Sequence, residues 1–343
     1  MASQEGTDSP ATTDQDYDQS LRPANFDEFV GQEGVVANLR LAAEAASQRS
    51  EPLDHVLLSG PPGHGKTSLA QLLSQEMGSS LHTASAPALS RPKDLVGTLT
   101  ALERGDILFL DEAHRLPPIV EEYLYPAMED SFVDIALDQG PHGRILHLAL
   151  QPFTLVAATT REGLLSAPFR ERFGLRERLE TYPPTDLVKI LERSSRILAT
   201  ALEPDAARVL ADRARGTPRV ANRYLRRVRD LAQVEGDGQV TKDVAEEGLH
   251  RLGVDAHGLE SLDRKCLKTI SRAEGGPVGL KALAAALDED VRTLEEVVEP
   301  YLLRQGWIER TPRGRILTAA SWELLGLEAP CEPDPPALFD IGQ

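Results

Sequence analysis

The chain has 343 residues, 41% of them apolar and 27% charged, with a formal net charge of −17. That length allows two or three domains with cores of their own. No apolar run approaches the ~18 residues of a membrane span, and no secretory leader pattern precedes the first element, so a cytoplasmic protein is expected. Cys266 and Cys331 lie far apart, which supports neither a disulfide framework nor a cysteine zinc site.

The acidic balance argues against a nucleic-acid partner only on average, because phosphate binding needs local clusters of Lys and Arg. Residues 1–20 carry acids and no base, and residues 327–343 are acidic and proline-rich; both read as disordered tails. By contrast, 213–229 (RARGTPRVANRYLRRVR) holds arginines and no acid, and 304–315 (RQGWIERTPRGR) is also basic.

In chain order, the first chemistry lies in HVLLSGPPGHGKTSLAQLL, residues 55–73. A buried strand, a glycine-rich loop and a helix follow one another, and Gly60, Gly65, Lys66 and Thr67 complete G-x-x-x-x-G-K-[ST]. Such a loop turns backbone N–H groups toward an anion at a helix N-terminus. Lys66 then meets the β- and γ-phosphates of ATP, and the Thr67 hydroxyl ligates Mg²⁺.

DILFLDEAHRL (106–116) is a central strand delivering Asp111 and Glu112 at its carboxyl end, where open α/β sheets bind ligands. Asp111 is expected on Mg²⁺ and Glu112 on the attacking water. The letters DEAH coincide with the name of another helicase class, and no chemical role is assigned to His114. Residues 130–150 alternate apolar and polar on both sides of DQGPHGR, which predicts an inserted hairpin exposing Ile135, Leu137, Ile145 and Leu148. As structure alone, it also reads as a core hairpin. The next strand ends in Thr159 and Thr160, either of which places a hydroxyl beside a γ-phosphate. In APFRERFG (167–174), Arg170 and Arg172 read either as a solvated face or as a finger reaching a neighbouring subunit's nucleotide. Arg219, near the start of a later helix, either faces a phosphate or is surface.

Residues 183–253 hold amphipathic helices after the punctuating YPP, a small helical domain. Residues 254–326 read as three helices and a hairpin with the turn TPRG, which is a winged helix. Arg310, Arg313 and Arg315 surround that turn, with Arg292 at the start of the third helix. Winged domains bind either DNA or protein. If DNA, the lack of base-reading polar residues suggests backbone contact without sequence preference.

The order of GPPGHGKT, DEAH, AATTR, RERFG and GTPRVANR, preceded by LRPANFDEFVGQ, resembles the AAA+ family and, within it, the motors that migrate Holliday junctions. The likeness runs from about Leu21 to Trp322. It implies an α/β AAA+ P-loop domain over 21–182, the helical domain over 183–253 and a winged-helix DNA-binding domain over 254–326. It further implies an ATP hydrolase, active as a homohexamer on four-way junction and duplex DNA. The junction-binding partner RuvA would dock through hairpin 130–150, with the resolvase RuvC in the wider complex.

Residue by residue, the likeness matches Leu21 and Arg22 to a nucleotide clamp, Tyr182 to an aromatic beside adenine, and Gly63, Gly65, Lys66, Thr67 and Ser68 to the phosphate loop. Thr159 or Thr160 becomes the first sensor, Arg172 the finger acting in trans and Arg219 the second sensor. Glu129, Asp130 and Ser131 match a segment near the neighbour's nucleotide, where Ser131 replaces an aromatic. His64 stands where the family carries an aliphatic residue, and Ala113 where it carries isoleucine; neither is a phosphate or metal ligand. A clamp-loader-like subunit and an ATP-dependent origin-binding switch are the rival readings. The inserted hairpin and winged domain disfavour the first, and a need for a junction partner would separate the second.

Overall fold

Among the described residues, the first 178 positions hold seven strands, of which 56–59, 107–111 and 154–159 are mainly apolar runs buried on both faces. In chain order they are β1 (Val56–Ser59), β2 (Leu81–Ser85), β3 (Ile107–Asp111), the hairpin strands β4 (Phe132–Ala136) and β5 (Ile145–Ala149), then β6 (Thr154–Thr159) and β7 (Leu175–Arg178). This computed structural model describes residues 19–136 and 145–330, so most of the two tails, Cys331 and the hairpin turn with Leu137 lie outside the described residues. The chain divides into two units, residues 1–242 and 243–343.

In the first unit, five strands form a parallel sheet in the order β2-β3-β6-β1-β7. Alternate residues serve opposite faces. Leu57, Leu108, Leu110, Leu155 and Ala157 join one apolar cluster with Phe153 and Phe169. Val56, Leu58, Ile107, Phe109, Val156 and Ala158 join another with Leu39, Leu69 and Leu73, carried by helices Glu33–Arg49 and Lys66–Glu76. Burying each large side chain contributes about 1.5–3 kcal/mol. The sheet therefore sets the positions of its strand ends: Ser59 pairs with Thr159, and Ser85 with Asp111, along one carboxyl edge.

The expected helical segment contains Pro184–Ile197, Pro204–Arg213 and Pro218–Glu235, each opening on a proline at its first turn. Sequence reading missed a small parallel pair, β8 (Ala201–Leu202) with β9 (Gln239–Val240). Two residues carry no detectable period.

The inserted hairpin forms, with Phe132 opposite Ala149 and Ala136 opposite Ile145. Its expected exposed face is corrected in part. Val133 is fully buried, and Ile135 and Leu148 pack on the core, while Leu146 is 44% exposed. Cross-strand neighbours Val133, Leu148, Ile135 and Leu146 share one side, so one apolar stripe runs from the core to the exposed part of the hairpin. On the other side, His147 contacts Phe132, with ring centroids 4.1 Å apart, and pairs with Asp134 at 2.8 Å.

Helix Lys242–Arg251 starts at the division between the units, and the second unit goes on with helices Ser261–Ser271 and Leu280–Leu287, then a helical segment over 291–304. Within that segment, Leu294–Val298 widens into a π-helical turn immediately before Glu299 and Pro300. Pro300 has no N–H, and its ring crowds the carbonyl four residues back, which accounts for the widening. The antiparallel wing follows as β10 (Ile308–Thr311) and β11 (Gly314–Leu317). Helix Ala319–Leu325, missed in the sequence, places Trp322 in a core with Leu267, Leu302 and Trp307. Cys266 lies in that core, where burial, with Asp263 and Glu299 nearby, pushes its thiol up to about 12; it is a packing residue. No helix among the described residues is long and apolar enough to cross a membrane.

Gly60 links β1 to the phosphate loop at φ +141°, and a Cβ there would stand 2.6 Å from the Leu179 carbonyl oxygen. Gly60→Ala is expected to cost about 2–3 kcal/mol, read as a lowered thermal-melting midpoint. An unchanged midpoint would mean that the β1–β7 edge yields without cost.

Candidate nucleotide site and the arginines outside it

The helix that follows the phosphate loop starts at Lys66, with Gly65 as its N-cap at φ +102° and no side chain capping its first turn. Its first N–H groups are therefore available to an anion. Above them lies a cavity of about 340 Å³ on the carboxyl edge of the sheet. Gly63, Gly65, Lys66, Thr67 and Ser68 line it from the loop and helix start, Asp111 and Glu112 from the end of β3 and just past it, and Thr160 from the residue after β6. Leu21, Arg22, Tyr182 and Arg219 join the lining from remote segments, whereas Thr159, Arg172, Glu129, Asp130 and Ser131 do not.

Lys66 is 8% exposed and donates from Nζ to the carbonyl oxygens of Gly60 at 2.7 Å and Pro61 at 2.8 Å. Burial lowers its pKa to about 8, with Asp111 working against the shift and Arg219 adding to it. Asp111 accepts at Oδ1 from the Glu112 N–H, 2.8 Å away. Glu112 adopts φ +51°, uncommon for a residue with a side chain, and pairs with Arg115 at 2.8 Å. The Thr67 hydroxyl and Asp111 carboxylate are hard oxygen donors of the kind Mg²⁺ accepts alongside phosphate.

The two threonines separate. Thr160 lines the cavity, whereas Thr159 is 1% exposed and its Oγ1 accepts from the Arg161 N–H at 3.0 Å and meets His114 Nδ1 at 3.0 Å. His114, given no role from sequence, thus joins the segment after β3 to the end of β6. Its signal was present as a histidine two residues past the carboxylates, but nothing in the spacing indicated its partner.

Sequence reasoning also missed Phe29, Arg193 and Asn222 in the lining. Arg193 donates to the carbonyl oxygens of Leu21 at 2.6 Å and Glu28 at 2.7 Å, holding the N-terminal segment over the cavity. It read as one polar residue of an amphipathic helix. His64, the departure within the loop, is 2% exposed; its Nδ1 meets the Pro62 carbonyl oxygen at 2.9 Å, and its own carbonyl accepts from the Tyr182 hydroxyl at 3.2 Å.

Arg172 does not line this cavity. Its guanidinium lies 4.1 Å from the Tyr125 ring centroid, pairs with Glu129 at 3.1 Å and donates to the Pro168 carbonyl oxygen at 2.7 Å. Asp130 and Ser131 follow Glu129 on the same segment, and Ser131 holds φ +54°. In the other unit, Arg292 and Arg313 are exposed, whereas Arg310 and Arg315 both pair with Glu299. The wing arginines therefore differ in setting, since only Arg310 and Arg315 share the Glu299 carboxylate.

Residues 21–179 match the Holliday junction DNA helicase RuvB P-loop domain, 182–255 the RuvB AAA lid domain and 256–326 the RuvB C-terminal winged helix domain. The Holliday junction branch migration complex subunit RuvB of Salinibacter ruber is 52% identical over 319 residues, covering 93% of each chain. The same subunit of Myxococcus xanthus is 53% identical over 315 residues, 92% of each chain. The solved Thermotoga maritima RuvB Holliday junction branch migration motor matches with a TM-score of 0.82 at 47% identity, covering 91% of this chain and 100% of that one. With its three domains matched in order and relatives alike over nearly their whole length, the chain belongs to the RuvB family of AAA+ ATPases.

Proposed function

We propose that this chain is an ATP-driven DNA translocase that migrates Holliday junctions in recombination and repair, working in the cytoplasm as a homohexameric ring. The observation that carries the reading is the convergence of phosphate loop, acidic strand end and arginine helix on one cavity, in a chain of this family. Residues 21–182 form the large ATPase domain, 183–253 the small helical domain and 254–326 the winged DNA-binding domain, with acidic tails at 1–20 and 327–343.

ATP lies with its phosphates on the N–H groups of the loop and helix start. Lys66 turns from the loop carbonyls to the β- and γ-phosphates, and Thr67 and Asp111 hold Mg²⁺, which neutralises phosphate charge when bound. Glu112 orients the attacking water, Thr160 reports the γ-phosphate directly, and Thr159 supports it through His114 and the Arg161 amide. Leu21, Arg22 and Tyr182 hold the base, and Gly63, Gly65, Ser68 and Arg219 the phosphates. Arg172, outside its own cavity, serves the neighbour's nucleotide, with Glu129, Asp130 and Ser131 on the same face. RuvA docks on the apolar stripe of hairpin 130–150, and RuvC joins the wider complex. Arg292, Arg310, Arg313 and Arg315 meet backbone phosphates of junction and duplex DNA.

Junction DNA with RuvA is expected to raise the ATPase rate, and Glu112→Gln to keep ATP bound while losing at least roughly a hundredfold in turnover. Steady-state ATPase assays with nucleotide-binding titrations decide this; wild-type turnover by Glu112→Gln would remove its role, and a rate indifferent to junction and RuvA would favour the origin-binding switch.

Arg172→Ala should bind ATP normally and hydrolyse it poorly. Mixed with wild type, it should depress activity beyond its share, because each finger serves a neighbour. A decline in simple proportion to wild-type content would indicate independent sites.

Lys66 gives the nucleotide affinity a pH dependence. Phosphate favours the ammonium form, so where the free lysine is partly neutral, binding takes up a proton. Affinity should hold steady below pH 7 and weaken by up to about tenfold per unit above the value near 8. A Kd that is flat between pH 7 and 9.5 (roughly the interval in which this lysine titrates) would mean that burial does not shift it.

A further inference from the structure

The helix that supports the wing, Glu299–Arg304, carries a carboxylate that the mechanism above leaves unused. Glu299 has a side chain only 4% exposed, and it accepts four hydrogen bonds. Arg310 donates from Nε at 3.0 Å and Nη2 at 2.9 Å, and Arg315 from Nε at 2.5 Å and Nη2 at 3.1 Å. Both arginines thus grip one carboxylate through the same edge.

Two features place it there. The π-helical turn before Pro300 shifts the helix phase so that the adjacent residues Val298 and Glu299 are both buried. Arg310 and Arg315 are directly opposite each other across the wing, a position where like charges repel unless an anion lies between them. Burial alone would raise the Glu299 carboxyl, but the hydrogen bonds from Arg315 and Arg310 outweigh it and hold it below the usual carboxylate range.

A guanidinium has five N–H donors. Nε and one Nη2 hydrogen on each arginine are directed at Glu299, which leaves the Nη1 edge and the second Nη2 hydrogen. Arg310 is 52% exposed and Arg315 17%. An arginine fixed along one edge presents the other in a set direction, the geometry that bidentate phosphate capture uses.

We infer that Glu299 is a positioning residue for DNA: it binds Arg310 and Arg315 into one two-pronged unit whose outer edges take a backbone phosphate. The inference rests on the reading of the wing as a DNA surface. The exposed Arg313 and Arg292 lie outside the unit and act singly.

The alternative, that Glu299 only neutralises charge inside the wing, predicts the opposite sign. Removing a negative charge from a DNA-binding face should by itself tighten binding and steepen its salt dependence. Glu299→Gln keeps the volume and removes the charge. If Glu299 positions the arginines, this full-length variant should bind a labelled duplex roughly five- to tenfold more weakly, with a salt slope lower by about one to two. Glu309→Gln, the same change of charge at an exposed wing position, should bind as tightly as wild type or more so. Basal ATPase should stay at the wild-type rate in both.

Arg310→Ala, Arg315→Ala and the double variant extend the test to a background with Glu299 intact, so a folding defect of Glu299→Gln does not end it. As one unit, the pair should lose nearly as much from either single change as from both. Multiplying losses, or a Glu299→Gln protein that binds duplex as well as wild type, would overturn the inference and leave the DNA reading standing. Duplex affinity unchanged in all three arginine variants would instead overturn the wing as the DNA surface, and the inference with it.

Discussion

A Cβ on Gly63 would stand 3.0 Å from both the Arg219 Cβ and the Thr217 Cγ2, and much of the nucleotide site follows from that close approach. The phosphate loop can turn its amides inward only if its backbone takes φ values that side chains resist, and Gly63 does so at +77°. The absence of a side chain also lets the start of helix Pro218–Glu235 press against the loop. Arg219 and Asn222 thereby line the same cavity as Lys66. Phe29 makes the corresponding contact at Gly65, where a Cβ would stand 3.0 Å from its ring. Segments more than a hundred residues apart thus close over one helix N-terminus. The enclosure has an electrical consequence, since burial lowers the Lys66 pKa to about 8 and a bound anion would restore the ammonium form's advantage.

The same enclosure sorts residues that look equivalent in the sequence. Thr159 and Thr160 are neighbours, yet one points into the protein toward His114 and the other lines the cavity. Thr159 is the last residue of β6 and Thr160 the first beyond it, so the two leave the strand end in different surroundings. His114 then ties the segment carrying Asp111 and Glu112 to the end of β6 at Thr159. Arg172 is sorted by topology in a comparable way: helix Ala167–Glu171 ends beside Tyr125 and Glu129 and away from the cavity of its own chain. That placement outside its own cavity is what supports the role proposed for Arg172 at a neighbouring subunit.

In the winged unit, the decisive constraint is the buried charge of Glu299. A carboxylate at 4% exposure costs several kcal/mol unless it is saturated with donors, and two arginines from opposite strands supply them. The wing is therefore held to its supporting helix by charge as well as by the core around Trp307 and Trp322. That arrangement gives Arg310 and Arg315 a fixed direction, whereas exposed Arg292 and Arg313 keep the freedom of surface side chains.

Much of this protein was legible in one dimension because its chemistry is written in contiguous motifs. Phosphate loop, acidic strand end and threonine strand end each combine a short apolar run with the residues at its end. A buried parallel strand has few places to go, so the approximate position of Lys66, Asp111 and Thr160 followed from local pattern. The winged helix was likewise readable from helices followed by a hairpin, although the last helix and the β8–β9 pair were not. What the sequence could not determine was partnership. Glu299 looked like one acid in an acidic helix, His114 like a letter in a coincidental name, Arg193 like surface, and Ile135 and Leu148 like exposed apolar residues of the hairpin. Each was decided by a contact beyond the local pattern, from 11 residues away for Glu299 to 172 for Arg193, or by the side of a strand that faced the core. Periodicity reports which positions are apolar, but hydrogen bonds and ion pairs are set by which remote backbone the folded sheet and helices bring within about 3 Å, and only the tertiary structure specifies that.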